Sequence, residues 1–310
     1  MRIAVIGAGG VGGVFGAALA AKAGADVTFV ARGRHLAAIR AHGLRIEGGR
    51  GETVVNPAQA TDDPAAIGPV DLVLFCVKLW DVESAGAAIR PLVGPDTAVI
   101  PLQNGIDAQP RLAPILGAHA VMGGVAQVSA AIAEPGVIRQ TGKLQRLVFG
   151  EMDGSTSPRG ERFLALCKAA GFDAMLTSDI TRALWEKFIL LTAMSGVTAV
   201  TRRPAGPLRD DPDTWALFRT VMTEVADVGR ASGVALPPDS VDKRMADVVA
   251  FPPQGRASMA VDLERGNRLE LPWLAGKVVA LGRALGVPTP ANATIFAALK
   301  PYANGTPAAV

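Results

Sequence analysis

The sequence offers little to several common kinds of chemistry. Its 310 residues include only two cysteines, Cys76 and Cys167, too few for a disulfide framework and not spaced as metal ligands. Cys76 lies in the apolar run "DLVLFCVK", where a cysteine serves as a small buried hydrophobe. The three histidines, His35, His42 and His119, follow no metal-binding spacing and read as surface or structural residues. No metal site is expected. Charge is scarce as well: 31 basic and 28 acidic residues leave a net charge of +3, with no basic block. This balance points away from a nucleic-acid stripe or a polybasic membrane tail. One tyrosine and ten scattered phenylalanines provide no stacking platform for bases.

Two segments imitate membrane or targeting signals. The N-terminus joins Arg2 to an apolar stretch and "ALAAKA", but the glycines at 7, 9, 10, 12 and 13 would break a signal helix and make better sense as a turn. The run "FILLTAMSGVTAV" (188–200) is too short to span a bilayer and reads as a buried helix. With so few cysteines, a soluble cytoplasmic protein is expected.

About half of the residues are apolar, ample for two sizeable cores, and the length suggests two domains. The first half alternates strand-type runs with helical patterns, as a parallel α/β sheet requires. "RIAVIG" and "DVTFVAR" read as strands around a helix from Val11 to Lys22. A second helix is expected from Arg34 to Ala41, then a hairpin within 43–56 and the buried strand "VDLVLFCVK". A helix from Val82 to Arg90, the strand "TAVIPLQNG" and further β runs at 120–130, 136–141 and 145–150 complete this half. From Asp179 the pattern is helical, with helices expected at 180–201, 213–232, 239–249, 255–265, 268–286 and 291–299. Prolines and glycines punctuate them at "RRPAGPL", "GVALPP", "FPPQG" and "GVPTPAN". The tail "NGTPAAV" is expected to fray. The domains are placed at 1–175 and 176–310, the second all-helical.

Gly7, Gly9 and Gly12 fit Gly-x-Gly-x-x-Gly between a strand and a helix, the context of a dinucleotide-binding turn. Each position has its own demand. Gly7 permits the sharp turn, Gly9 lets a pyrophosphate approach the backbone, and Gly12 lets the helix pack closely while its free N–H groups face the anion. The first domain is therefore expected to be a doubly wound, Rossmann-type sheet. An NAD site of this kind carries an acid at the end of the second strand for the ribose 2′-hydroxyl. Here "TFVARGRH" has none, and Arg32 stands twenty residues after Gly12. A guanidinium suits a 2′-phosphate and stacks on adenine, so NADPH is expected over NADH.

With "IAVIGAGGVG", "VKLW", "PLQNGID", "ALWEKF" and "ASMAVDLERGNRLELPWLAGKVVALGRALGVPTPAN" in this order, the chain resembles the ketopantoate reductase (2-dehydropantoate 2-reductase) family along nearly its whole length. The resemblance implies NADPH-dependent reduction of ketopantoate to pantoate, a step towards coenzyme A. It assigns catalysis to Lys187, as proton donor to the developing alkoxide, and to Asn104, beside the nicotinamide and the reacting carbonyl. It places Lys78 near the cofactor and substrate, as a cofactor contact, and assigns Glu270 to the substrate hydroxyl and Ser258 to a substrate contact. The spacing of twelve residues from Ser258 to Glu270, with Gly266 in between, suggests two helices rather than one face. Two features depart from the family. Asparagines commonly stand four and eight residues after the lysine, where this chain has Leu191 and Ser195. Ser195 can keep one hydrogen bond to substrate, whereas Leu191 makes the site drier. Pro272 also replaces a commonly polar residue.

These departures keep two alternatives open: a paralogue that reduces a different, more apolar 2-oxo acid, and a non-catalytic NADPH-sensing regulator. Retention of Lys187, Asn104 and Glu270 argues against the sensor. The expected partner is a small 2-oxo acid, not nucleic acid or a membrane. The apolar helices of the second half could pack in a homodimer or only within a core.

Overall fold

A computed structural model describes residues 1–306. The chain begins with β1 (Arg2–Ile6), α1 (Gly10–Ala23), β2 (Asp26–Val30) and α2 (Gly33–His42). Next come β3 (Leu44–Gly48), β4 (Thr53–Val55), β5 (Gln59–Thr61), β6 (Val70–Phe75), α3 (Val82–Ala88), β7 (Val93–Pro101) and α4 (Ala108–Leu116). A long hairpin of β8 (Met122–Glu134) and β9 (Val137–Glu151) leads to α5 (Pro158–Ala169) and β10 (Asp173–Leu176). The rest is helical: α6 (Ile180–Thr201), α7 (Ala205–Asp210), α8 (Pro212–Ala231), α9 (Ser240–Ala250), α10 (Ser258–Glu264), α11 (Ala275–Leu285) and α12 (Pro290–Leu299). By internal packing there are two units. One comprises Met1–Gln103 and Asp107–Ile180; the other comprises Asn104–Ile106 and the chain from Thr181 onward.

In the first unit, five strands in the order β5-β2-β1-β6-β7 are parallel at every pairing. Chain order runs outward in both directions from β1, so its C-terminal end is the switch point at which open α/β sheets bind ligands. A second sheet, β10-β9-β3-β4 with β8 paired to β9, includes the β3–β4 hairpin expected near 43–56. Helix α1 lies between the two sheets: Gly16 touches Phe29 and Val5, and Gly13 faces Ile138 of β9. Cover on both sides explains why α1 is apolar all round, without a polar face. It ends at Gly24, in the left-handed conformation. Phe15, Phe29, Phe149 and Phe163 are fully buried in this core, and each contributes about 1.5–3 kcal/mol.

The second unit is centred on α6 and α8. Phe188, Ile189, Ala193 and Val197 of the one share a core with Phe218, Val221, Met222 and Val225 of the other. Buried Glu224 of α8 caps α12, its carboxylate accepting from the N–H groups of Ala291 (2.8 Å) and Asn292 (2.9 Å).

Several expectations need correction. The runs at 136–141 and 145–150 are one strand, β9, whose pairing with β8 shifts between Val128 and Ser129 around Gly142. Helix 268–286 is shorter than its periodicity suggests: Leu271–Trp273 form a 3₁₀ turn on Pro272, and α11 starts only at Ala275. Helices α4, α5 and α7 were not anticipated; the last lies in "RRPAGPL", whose Pro204 and Pro207 read as punctuation. Pro158 occupies the first turn of α5, behind a Ser157 cap. Helix α6 has 22 residues, so the apolar run 188–200 belongs to an element long enough to cross a membrane, and the length argument fails. Most of its apolar stretch is instead packed inside the second unit. The tail is held as far as it is described: Asn304 pairs with Arg268, and the N–H of Thr306 donates to Gly266 (3.2 Å). Residues 307–310 lie outside the described residues.

Candidate active site

The glycine turn follows β1 directly. Gly7 has φ +94°, and a Cβ there would press on the Cys76 carbonyl oxygen at 3.0 Å. The N–H groups of Gly7 and Ala8 both donate to Val30 O at 3.0 Å, which ties the turn to the end of β2. Gly12 lies so close to the Gly7 carbonyl and Val5 that no side chain fits. Gly9 differs from both. Its backbone is extended (φ −81°, ψ −158°), a conformation open to any residue, and a Cβ there would meet nothing within 4 Å. Folding therefore does not require glycine at this position, whereas close approach of a ligand to the backbone does.

The first turn of α1 has neither a side-chain cap nor an acidic residue. The N–H groups of Gly9, Gly10, Val11 and Gly12 have no hydrogen-bond partner among the described residues. Four free donors at the positive end of a helix suit an anion. Arg32, exposed at the N-cap of α2, stands two residues beyond Val30 and thus at the edge of the turn. These residues fit a phosphorylated dinucleotide. Lys78 is exposed at the end of the β6 segment, with Nζ 5.6 Å from the Trp80 ring centroid. Half-buried Cys76, two residues before it, packs against the core and has its thiol pKa pushed up by desolvation, as expected for a packing residue.

In the second unit, three polar residues far apart in sequence form one chain of hydrogen bonds. Lys187 Nζ donates to Asn104 Oδ1 (3.1 Å), and Asn104 Nδ2 donates to Glu270 Oε2 (3.2 Å). The amide is thereby oriented, its oxygen towards the cation and its nitrogen towards the carboxylate. Glu270 is only 5% exposed and precedes the 3₁₀ turn on Pro272. Gly105 (φ +89°) would bring a Cβ within 3.2 Å of the Trp273 carbonyl, so the turns that carry Asn104 and Glu270 touch. On α6, Lys187 precedes buried Phe188 and Ile189. Desolvation lowers its pKa to about 8, while the Glu270 carboxylate acts in the opposite direction. An ammonium whose pKa is lowered to about 8, held by an oriented amide, can protonate an oxyanion.

Comparison with known proteins places the chain. The model of the ketopantoate reductase PanE/ApbA family matches residues 3–154, and its C-terminal counterpart matches residues 179–303. The chain belongs to the ketopantoate reductase family. A 2-dehydropantoate 2-reductase of Mesorhizobium japonicum is 31% identical over 97% of each chain. One from Caulobacter vibrioides is 32% identical over 96% of this chain and 97% of its own. Among solved structures, a PanE/ApbA family ketopantoate reductase from Ralstonia eutropha is 36% identical and covers 98% of both chains with a TM-score of 0.89. A D-mandelate dehydrogenase complex, 20% identical with a TM-score of 0.89, shares the fold.

Within this ketopantoate reductase family member, the other expected site residues are more scattered. Ser258 is exposed at the first residue of α10, which ends before Gly266, so it and Glu270 lie on separate elements. Ser195 is 1% exposed, and its hydroxyl has no hydrogen-bond partner among the described residues. Leu191, one helical turn after Lys187, is half-buried against the apolar core. Sequence reasoning missed two residues. Gln103 donates from Nε2 to the carbonyls of Phe75 (2.9 Å) and Val77 (3.0 Å), fixing the end of β6 against the end of β7. Its place beside Asn104 in "LQNG" was the available signal. The second is His35, whose ring contacts the glycine turn itself.

Proposed function

We propose that this protein is an NADPH-dependent 2-oxo acid reductase that converts 2-dehydropantoate to pantoate. The observation that carries this reading is the half-buried Lys187–Asn104–Glu270 chain, with the pKa of its lysine lowered to about 8. NADPH, when bound, supplies the hydride. The free N–H groups of the glycine turn take its pyrophosphate, with Gly7, Gly9 and Gly12 making room. Arg32 pairs with the 2′-phosphate, and Lys78 and Asn104 provide further cofactor contacts.

Lys187, as the ammonium, donates to the ketone oxygen and transfers a proton as negative charge develops there. Asn104 holds that ammonium in place, and Glu270 accepts a hydrogen bond from the substrate hydroxyl. Ser258 offers an exposed hydroxyl. The unmet hydrogen bond of Ser195 is one that a substrate oxygen or a water would fill. A soluble cytoplasmic setting and a second copy as partner belong to the same proposal.

Leu191 supports a second reading, a more apolar 2-oxo acid, because an apolar side chain one turn from Lys187 favours an apolar substrate group. NADPH oxidation with a panel of 2-oxo acids separates the two. Ketopantoate should give the highest kcat/KM, and the gene should rescue a pantothenate-requiring strain. A more apolar 2-oxo acid ahead of ketopantoate would favour the second reading, and NADPH binding without turnover of any 2-oxo acid would refute both.

A further inference from the structure

His35 lies in the first turn of α2, three residues after Arg32, and its ring makes two backbone hydrogen bonds. Nε2 is 2.8 Å from Ala8 O, and Nδ1 is 3.0 Å from the N–H of Gly136, in the turn between β8 and β9. A backbone N–H only donates and a carbonyl only accepts, so Nδ1 is unprotonated and Nε2 carries the hydrogen. Both contacts are thus met by one neutral tautomer.

Ala8 sits between Gly7 and Gly9, in the middle of the turn. Its N–H donates to Val30 O (3.0 Å) and its carbonyl accepts from His35, so the peptides on both sides are held. In a trans peptide the C=O and the following N–H point in opposite directions. Holding the Ala8 carbonyl towards His35 therefore turns the Gly9 N–H the other way. That N–H has no partner among the described residues, and the space beside Gly9 is open.

We infer that His35 is a positioning residue for the dinucleotide: it locks the Ala8–Gly9 peptide so that the Gly9 N–H is presented to the pyrophosphate, and Gly136 keeps the imidazole in the tautomer this needs. One short helical turn then serves the cofactor twice, through Arg32 directly and through His35 by way of the backbone. The inference rests on the glycine turn being the NADPH site.

Two substitutions divide the ring's two bonds. His35→Gln carries an amide nitrogen to about the place of Nε2, whereas His35→Asn keeps an acceptor near Nδ1 and reaches no further. Titration of the cofactor-free protein with NADPH, followed by nicotinamide fluorescence, should show His35→Asn weakened about fivefold to tenfold, the effect of one lost hydrogen bond. His35→Gln should stay within about twofold of the parent. The KM for the 2-oxo acid at saturating NADPH should be the same in both variants. Were His35 only an anchor for the β8–β9 turn, His35→Asn would bind NADPH like the parent and His35→Gln would be the weaker. That order would overturn the inference, as would equal losses accompanied by equal drops in melting temperature. Gly9→Val tests the underlying site separately, because the backbone there accepts valine: undiminished NADPH binding would remove the site itself, whatever His35 does.

Discussion

Burial and the Glu270 carboxylate pull the pKa of Lys187 in opposite directions, and burial prevails, leaving it at about 8 instead of 10.5. The proton is thus lost on passing pH 8, well below the range of a solvated lysine. If Lys187 is the proton donor, kcat/KM for ketone reduction should fall as pH rises through about 8, while NADPH binding should not follow that limb. Replacing Glu270 with Gln removes the influence that raises this pKa, so the basic limb should move to lower pH as the overall rate drops; a pH–rate profile of the variant checks the direction. Lys187→Ala should cost about 10²–10⁴-fold in turnover, the usual contribution of a positioned general acid. Its NADPH affinity should be unchanged within about twofold, as measured by fluorescence titration. Turnover that survives this substitution would refute the assigned role. None of these properties is legible from "LWEKFILL" alone, where the lysine looks like any other on an apolar helix. Without the resemblance neither Lys187 nor Glu270 stands out, because the hydrogen bonds that join them cross 83 and 166 residues of sequence.

At the scale of elements, the glycine turn was the most readable part of the chain, since its requirements are local. A strand, three spaced glycines and a helix leave few other geometries, and Arg32 falls at the N-cap of α2, at the rim of the turn. Arg32→Ala should weaken NADPH about tenfold to a hundredfold, the worth of hydrogen bonds to a charged group. NADH, which lacks the 2′-phosphate, should lose little; parallel titrations of the two cofactors at moderate ionic strength compare the losses. Elements were misread where the deciding contact is distant. The division of β9 into two runs reflects a bulge around Gly142 that its pairing with β8 absorbs. The start of α11 was misplaced because Pro272 stands in a 3₁₀ turn whose backbone packs beside Gly105, a contact that no periodicity reveals.

Across the whole molecule, the end of the chain supports the middle of the site. Leu269, the neighbour of Glu270, donates its N–H to Ala303 O (3.0 Å), and Asn304 and Thr306 hold Arg268 and Gly266. A tail read from composition as fraying thus braces the loop of a candidate substrate residue. Removing residues 301–310 should raise the KM for the 2-oxo acid severalfold and leave NADPH affinity intact; steady-state kinetics on the shortened chain, alongside its melting temperature, tests this. The order of synthesis adds a consequence of the Lys187–Asn104–Glu270 chain. A ribosome completes Gly7, Gly9, Gly12, Arg32 and His35 long before Glu270 emerges. A polypeptide cut short or still being translated can carry every proposed cofactor contact except that of Asn104 in its final setting, while its ketone site lacks a member. Such a fragment would occupy NADPH without consuming it.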